Sequence, residues 1–79
     1  MNLRLAEILG ALSEARAYVS QSEQWVSEQS AIIGELESSG ADTLDAILYL
    51  EALETMHEQN IDYLTRLERK VLLLVSPED

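Results

Sequence analysis

The 79-residue sequence contains no cysteine and only one histidine. The absence of cysteine excludes a disulfide framework, a thiolate metal site and a cysteine nucleophile. The sequence also has no glycine-rich phosphate loop, nucleophile elbow or zinc-protease motif, and a lone histidine leaves little scope for a catalytic triad. We therefore predict a protein that is not an enzyme and that carries no cofactor.

Basic residues are scarce, with five lysines and arginines against fifteen aspartates and glutamates and a net charge of −10. This balance argues against nucleic acids and anionic membranes as partners. The longest apolar run, Val71–Val75, is far shorter than the roughly 20 residues of a membrane span. Glu7 and Glu14 interrupt the apolar stretch that a signal peptide would need. The predicted location is the cytoplasm.

The charges are distributed unevenly along the chain. All five basic residues lie outside residues 17–65, and this span contains ten carboxylates, so it alone carries −10. Two interpretations are open: a solvated surface that keeps the protein soluble, or a docking surface for a basic protein partner. The residues assigned to this acidic surface are Glu35, Glu37, Asp45, Glu51, Glu54 and Glu58.

Glycine and proline are also rare, and only residues 37–46 (ESSGADTLDA) look like a break between regular elements. Gly40 can adopt the left-handed conformation that closes a helix at its C-terminus. Asp42 or Thr43 can then cap the helix that follows. This stretch therefore predicts a turn between two helices.

The outer ends of the two helices have their own signals. Asn2 can cap the first helix, and Pro77 would end the second. The predicted organisation is a single domain, 1–79, with a helix at about 3–38, a turn at 39–42 and a helix at about 43–75.

Apolar residues recur every seven positions in both helices, which indicates an all-α antiparallel hairpin with coiled-coil packing. The first helix contributes the rows Leu5, Leu12, Val19, Val26, Ile33 and Ile8, Ala15, Ser22, Gln29, Leu36. The second contributes Leu50, His57, Leu64, Val71 and Ala46, Leu53, Asn60, Leu67, Leu74. With the turn near residue 41, facing residues should have numbers that sum to about 82–83.

The only histidine, His57, lies in one of these rows and follows Glu54 by three residues. One interpretation is a polar core layer that penalises slipped registers, formed by Ser22, Gln29, His57 and Asn60. The alternative is a di-iron-like metal site in which Glu54 and His57 of two chains act as ligands. We prefer the polar layer, because the facing part of the first helix offers no inward carboxylate at this level.

Each helix has more apolar surface than one partner helix can cover. The additional residues are Tyr18, Trp25, Ile32, Tyr49, Met56 and Tyr63. A homodimer that forms a four-helix bundle would cover them, and so would a helix of another protein lying in an open groove. We predict the homodimer and a small interaction or regulatory protein without catalytic activity.

Residues 32–70 resemble short helical-hairpin proteins of alphaproteobacteria such as rhizobia, a group without an assigned activity. The positions that carry the resemblance are Ile32, Leu36, Glu37, Gly40, Asp42, Thr43, Ala46, Leu50, Glu54, His57 and Arg66. The chain departs from the pattern in lacking basic residues in the first helix and after the histidine. The resemblance implies a helical hairpin and adds nothing on function.

Overall fold

The computed structural model describes residues 3–75, which form two long helices joined by a short turn. Helix α1 spans Leu3–Ser38 and helix α2 spans Leu44–Val75. They lie side by side in a rod measuring 62 × 19 × 14 Å. The all-α helical hairpin is confirmed, and the observed helix ends lie within one residue of the predicted ones. The predicted helix signals at Asn2 and Pro77 lie outside the described residues.

The C-terminus of α1 is closed by a Schellman motif. Gly40 has φ of +76°, in the left-handed region. The amide of Ala41 donates to the carbonyl of Leu36 at 3.0 Å, and the amide of Gly40 donates to the carbonyl of Glu37 at 3.1 Å. These two bonds satisfy carbonyls that the end of a helix would otherwise leave without a partner. The turn therefore needs its glycine.

The N-terminus of α2 is capped by Asp42. One carboxylate oxygen of Asp42 accepts from the amide of Leu44 at 3.0 Å. The carbonyl of Thr43 accepts the helical hydrogen bond of the Ile47 amide at 2.9 Å. Asp45 lies in the first turn, where the helix dipole favours a negative charge. Of the two alternative capping residues, Asp42 caps α2 through its side chain, and Thr43 contributes its backbone carbonyl.

The core is a narrow seam between the two helices. Its buried apolar side chains are Leu12, Ala15, Ile33, Leu53 and Leu67. A cluster toward the free ends of the helices consists of Leu12, Ala15 and Leu67, with Ile8, Ala11, Leu64 and Val71 packed against it. Fourteen large apolar side chains within residues 3–75 remain exposed. The hairpin alone therefore covers only part of its apolar surface.

Neither helix of the described region is both long enough and apolar enough to cross a membrane.

Candidate interaction face and buried polar layer

The exposed aromatic residues lie on one side of the hairpin. Trp25 and Ile32 of α1 and Tyr49 and Met56 of α2 line one groove of about 440 Å³ between the helices. Helical positions seven residues apart lie on nearly the same side. Tyr18 therefore extends the α1 row, and Tyr63 extends the α2 row. We call this surface the aromatic face, made up of Tyr18, Trp25, Ile32, Tyr49, Met56 and Tyr63.

The aromatic face contains the only tryptophan and all three tyrosines of a chain that has no phenylalanine. Its rings are 40–58% exposed, Ile32 is 46% exposed and Met56 is half-buried. The rows match in height, because Tyr18 and Tyr63, Trp25 and Met56, and Ile32 and Tyr49 have numbers that sum to 81 in each case. The face is therefore a ladder of three rungs, each with one residue from α1 and one from α2.

The groove has four further lining residues: Gln29 and Leu53 belong to the predicted heptad rows, and Glu28 and Ala52 were not predicted. Glu28 and Ala52 lie three or four residues from members of the aromatic face, which puts them on its border. This i+3 and i+4 spacing was visible in the sequence and could have identified them.

A second groove, of about 390 Å³, lies at the free ends of the helices. It is lined by Arg4, Glu7, Ile8, Lys70, Leu73 and Leu74. Lys70 follows Tyr63 by seven residues, so this groove continues the aromatic face toward the free ends. The side of the hairpin that carries the rings therefore has one groove beside Trp25 and a second at the free ends. The second groove is bordered by both basic and acidic residues.

A buried polar cluster connects the two helices at mid-length. Ser22 is fully buried, and its hydroxyl lies 2.7 Å from Nδ1 of His57. The side-chain amide of Asn60 donates to the same hydroxyl at 3.2 Å and lies 3.3 Å from the carbonyl of Tyr18. The hydroxyl also lies 3.1 Å from the carbonyl of Val19, within α1.

The partners of Ser22 assign the proton on the histidine ring. A serine hydroxyl can donate once and accept twice. Its contact with the Val19 carbonyl uses the only donor, and Asn60 can only donate to it. All three bonds form together only if Nδ1 of His57 carries a hydrogen and donates it. The cluster therefore favours a ring protonated at Nδ1, with Nε2 outside the network.

Gln29 does not belong to this layer, which corrects the predicted four-residue set. It is buried, but its amide donates to the carbonyl of Ala46 at 3.0 Å, near the start of α2. Gln29 lies two helical turns, about 10 Å, from Ser22. Its role is to connect α1 to the first turn of α2, so the mid-length layer consists of Ser22, His57 and Asn60.

The alternative metal site is not assembled within one hairpin. Among residues 3–75, no group of three histidine or carboxylate side chains is placed to hold a metal ion. Glu54 is exposed and lies two residues from Ala52 and Met56, which at about 100° per residue puts it away from the groove that they line. A dimer formed through the aromatic face would therefore keep the two Glu54 side chains apart.

The buried serine–histidine pair is poorly placed for nucleophilic attack. The Ser22 residue has no exposed surface, and its hydroxyl already has three polar partners. A nucleophile has to reach its substrate. The contacts of Ser22 instead connect α1 to α2.

The residues assigned to the acidic surface are all exposed: Glu35, Glu37, Asp45, Glu51, Glu54 and Glu58. They do not all face the same way. Glu35 follows Glu28 by seven residues and Asp45 precedes Ala52 by seven, so these two lie on the side of the aromatic face. The turn of the hairpin thus carries acidic groups both beside the aromatic face and away from it.

The sequence matches no protein-family model, no curated protein and no solved structure. The function is therefore interpreted from the aromatic face, the polar layer and the distribution of charge.

Proposed function

We propose that this chain is a small, non-catalytic protein–protein interaction protein that works as a homodimer. In this proposal the aromatic faces of two hairpins pack together as a four-helix bundle. The observation that carries it is the placement of the tryptophan and all three tyrosines on one exposed side. Contiguous exposed apolar surface of this kind is typical of an interaction site, and tyrosine and tryptophan are enriched in interfaces.

The size of the aromatic face supports a stable interface. A half-exposed ring loses about 100 Å² of accessible surface when it is covered, since a fully buried aromatic side chain accounts for roughly 150–250 Å². Four such rings supply roughly 400 Å² per chain, and Ile32, Met56 and the border residues add to this area. A standard interface buries about 800 Å² per partner. The aromatic face with its border is therefore large enough to hold two copies together.

The carboxylates that point away from the aromatic face would stay exposed in this dimer. Glu37, Glu51, Glu54 and Glu58 form this outward acidic group. Two chains of net charge −10 would carry −20, a field that attracts and orients positively charged proteins. The proposed partner of the dimer is accordingly a basic protein, bound by contacts that added salt would weaken.

Light scattering on a sizing column at two protein concentrations tests the dimer. We expect twice the chain mass, and a blue shift of the Trp25 emission as the dimer forms. Trp25→Glu should reduce the mass to that of one chain, because it places a charge in the middle rung. Ser27→Glu is the matched control, since Ser27 is exposed and lies two residues away, off the groove. A monomeric native chain at both concentrations would rule out the homodimer and favour a helix of another protein as the occupant of the aromatic face.

A further inference from the structure

The charges at the two ends of the hairpin differ on the side that carries the aromatic face. We call residues 35–46 the tip, and residues 3–16 together with 66–75 the open end. At the tip, Glu35 and Asp45 lie on the aromatic side. At the open end, Lys70 lines the second groove, and Arg66 follows Ala52 by two heptads. On this side the tip carries carboxylates, and the open end carries more basic than acidic residues.

The three rungs of the aromatic face set the height along the rod at which two copies would meet. The middle rung is Trp25 with Met56, and the outer rungs lie seven residues to either side. A two-fold axis through the middle rung can relate two hairpins in two ways. Either each outer rung meets its own copy, with the tips together, or each outer rung meets the opposite outer rung, with the tip of one hairpin against the open end of the other.

The positions of the charges distinguish these two arrangements. Glu35 lies ten residues from Trp25 toward the tip, and Arg66 lies ten residues from Met56 toward the open end. Both are therefore about 15 Å from the axis, in opposite directions along the rod. With the tips together, Glu35 of each copy would face Asp45 of the other. With the hairpins reversed, Arg66 and Lys70 would stand level with these carboxylates of the second copy.

We infer that the two hairpins of the proposed dimer pack head to tail, with the acidic tip of each against the basic open end of the other. The occupant of the aromatic face is thus a second copy of this chain, on grounds of charge complementarity as well as area. The inference rests on the proposed dimer and adds its orientation. Glu7 and Glu14 also lie on this side of the open end, and the three cations Arg4, Arg66 and Lys70 outnumber them.

The absence of cysteine allows the orientation to be measured with single spin labels, by double electron–electron resonance on the full chain. A label at Ser39→Cys would lie about 20 Å from the axis along the rod, so head-to-tail packing predicts a separation of about 40 Å or more. Packing with the tips together predicts about 25 Å or less. A label at Ser27→Cys lies close to the height of the middle rung, on the side of α1 away from the second copy, and should give nearly the same distance in both arrangements.

The two labels separate failure of the inference from failure of the proposed function. A dipolar signal at Ser27→Cys together with a separation of about 40 Å or more at Ser39→Cys is the expected result. A dipolar signal at Ser27→Cys together with a separation of about 25 Å or less at Ser39→Cys would overturn the head-to-tail inference and leave the dimer standing. The lack of any dipolar signal at Ser27→Cys would contradict the dimer itself, and the orientation with it.

Charge reversal gives a second measurement. The change in dimer affinity should have opposite signs in the two arrangements. Asp45→Lys should weaken the dimer about five-fold in a head-to-tail complex, because the two-fold axis packs α2 on α2 of the second copy and the lysine would lie against Arg66 at two symmetric contacts. Adding Arg66→Glu should restore the affinity. Glu51→Lys makes the same charge change away from the aromatic side and serves as the control. A dimer that tightens with Asp45→Lys alone would indicate that the tips lie together, and would overturn the inference.

Discussion

The hydroxyl of Ser22 in α1 and Nδ1 of His57 in α2 lie 2.7 Å apart at mid-length of the hairpin, and Asn60 of α2 donates to the same hydroxyl. This contact defines the height at which the helices pair. A slip by one heptad would set Ser22 opposite Leu50 or Leu64 and leave its network without the histidine. A buried polar group without a partner costs about 1–3 kcal/mol. The layer therefore selects one register.

The proton on the His57 ring can be observed directly. We expect the ¹⁵N resonances of the neutral ring to show a protonated Nδ1 that is hydrogen-bonded, with Nε2 as the unprotonated nitrogen. The reason is that Ser22 can accept from His57 and Asn60 while it donates to Val19. In Ser22→Ala this preference for Nδ1 should be lost. A native ring protonated only at Nε2 would contradict the hydrogen-bond assignment.

Replacing His57 should increase folding stability and decrease the specificity of association. We expect His57→Leu to raise the free energy of unfolding by about 1 kcal/mol, because it adds apolar contact at a half-buried site. The same variant should associate less specifically, with a mixture of masses in light scattering, because the register constraint is gone. Thr55→Leu adds leucine at an exposed site nearby and should change neither quantity appreciably. Unchanged stability together with a single unchanged mass would remove support for the register role.

The fold was largely predictable because its signals are local. The seven-residue spacing of apolar residues specifies two helices and the faces that meet. Gly40 and Asp42 specify where the chain turns, and both contribute the predicted hydrogen bonds or conformation. The second apolar stripe was also visible in the sequence, as aromatic residues outside the heptad rows of the seam. That two copies cover it remains a prediction, because a surface pattern does not identify its partner.

The membership of the polar layer was predictable only in part. The heptad pattern treats Ser22 and Gln29 as equivalent, since they occupy the same row. Their side chains differ in reach, and Gln29 finds a backbone carbonyl, at Ala46, before any side chain of the layer. Backbone acceptors are present at every residue and leave no mark in the sequence. The contacts of Ser22 with His57 and Asn60, by contrast, follow from the heptad pattern, which places polar residues of the two helices opposite each other.

Two glycines should respond in opposite directions to the same substitution. Gly40→Ala should lower the free energy of unfolding by about 1–2 kcal/mol, because Gly40 has a positive φ that disfavours a Cβ. Gly34→Ala should raise it by about 0.5–1 kcal/mol, because Gly34 lies within α1. An added Cβ meets no atom within 4 Å at either position, so the difference isolates the backbone. Equal effects in urea unfolding would contradict the left-handed turn at Gly40.

The hydrogen bond from Gln29 to Ala46 should act locally, on the start of α2. Gln29→Leu keeps a side chain of similar size in this buried site and removes the amide donor. Because an apolar replacement leaves no buried donor without a partner, we expect the overall stability to change by less than about 1 kcal/mol. The amides of the first turns of α2 should nevertheless exchange faster with solvent, since their connection to α1 is lost.

The matched control for this prediction is Gln24→Leu. Gln24 is exposed, and its amide donates to Glu28 within α1 at 3.0 Å, so its loss should leave hydrogen exchange in α2 unchanged. Exchange measured by mass spectrometry on the two variants then isolates the contact between the helices. If Gln29→Leu left the first turns of α2 as protected as in the native chain, Asp42 capping and apolar packing would suffice to hold them, and Gln29 would serve only to fill space at the bottom of the groove beside Trp25.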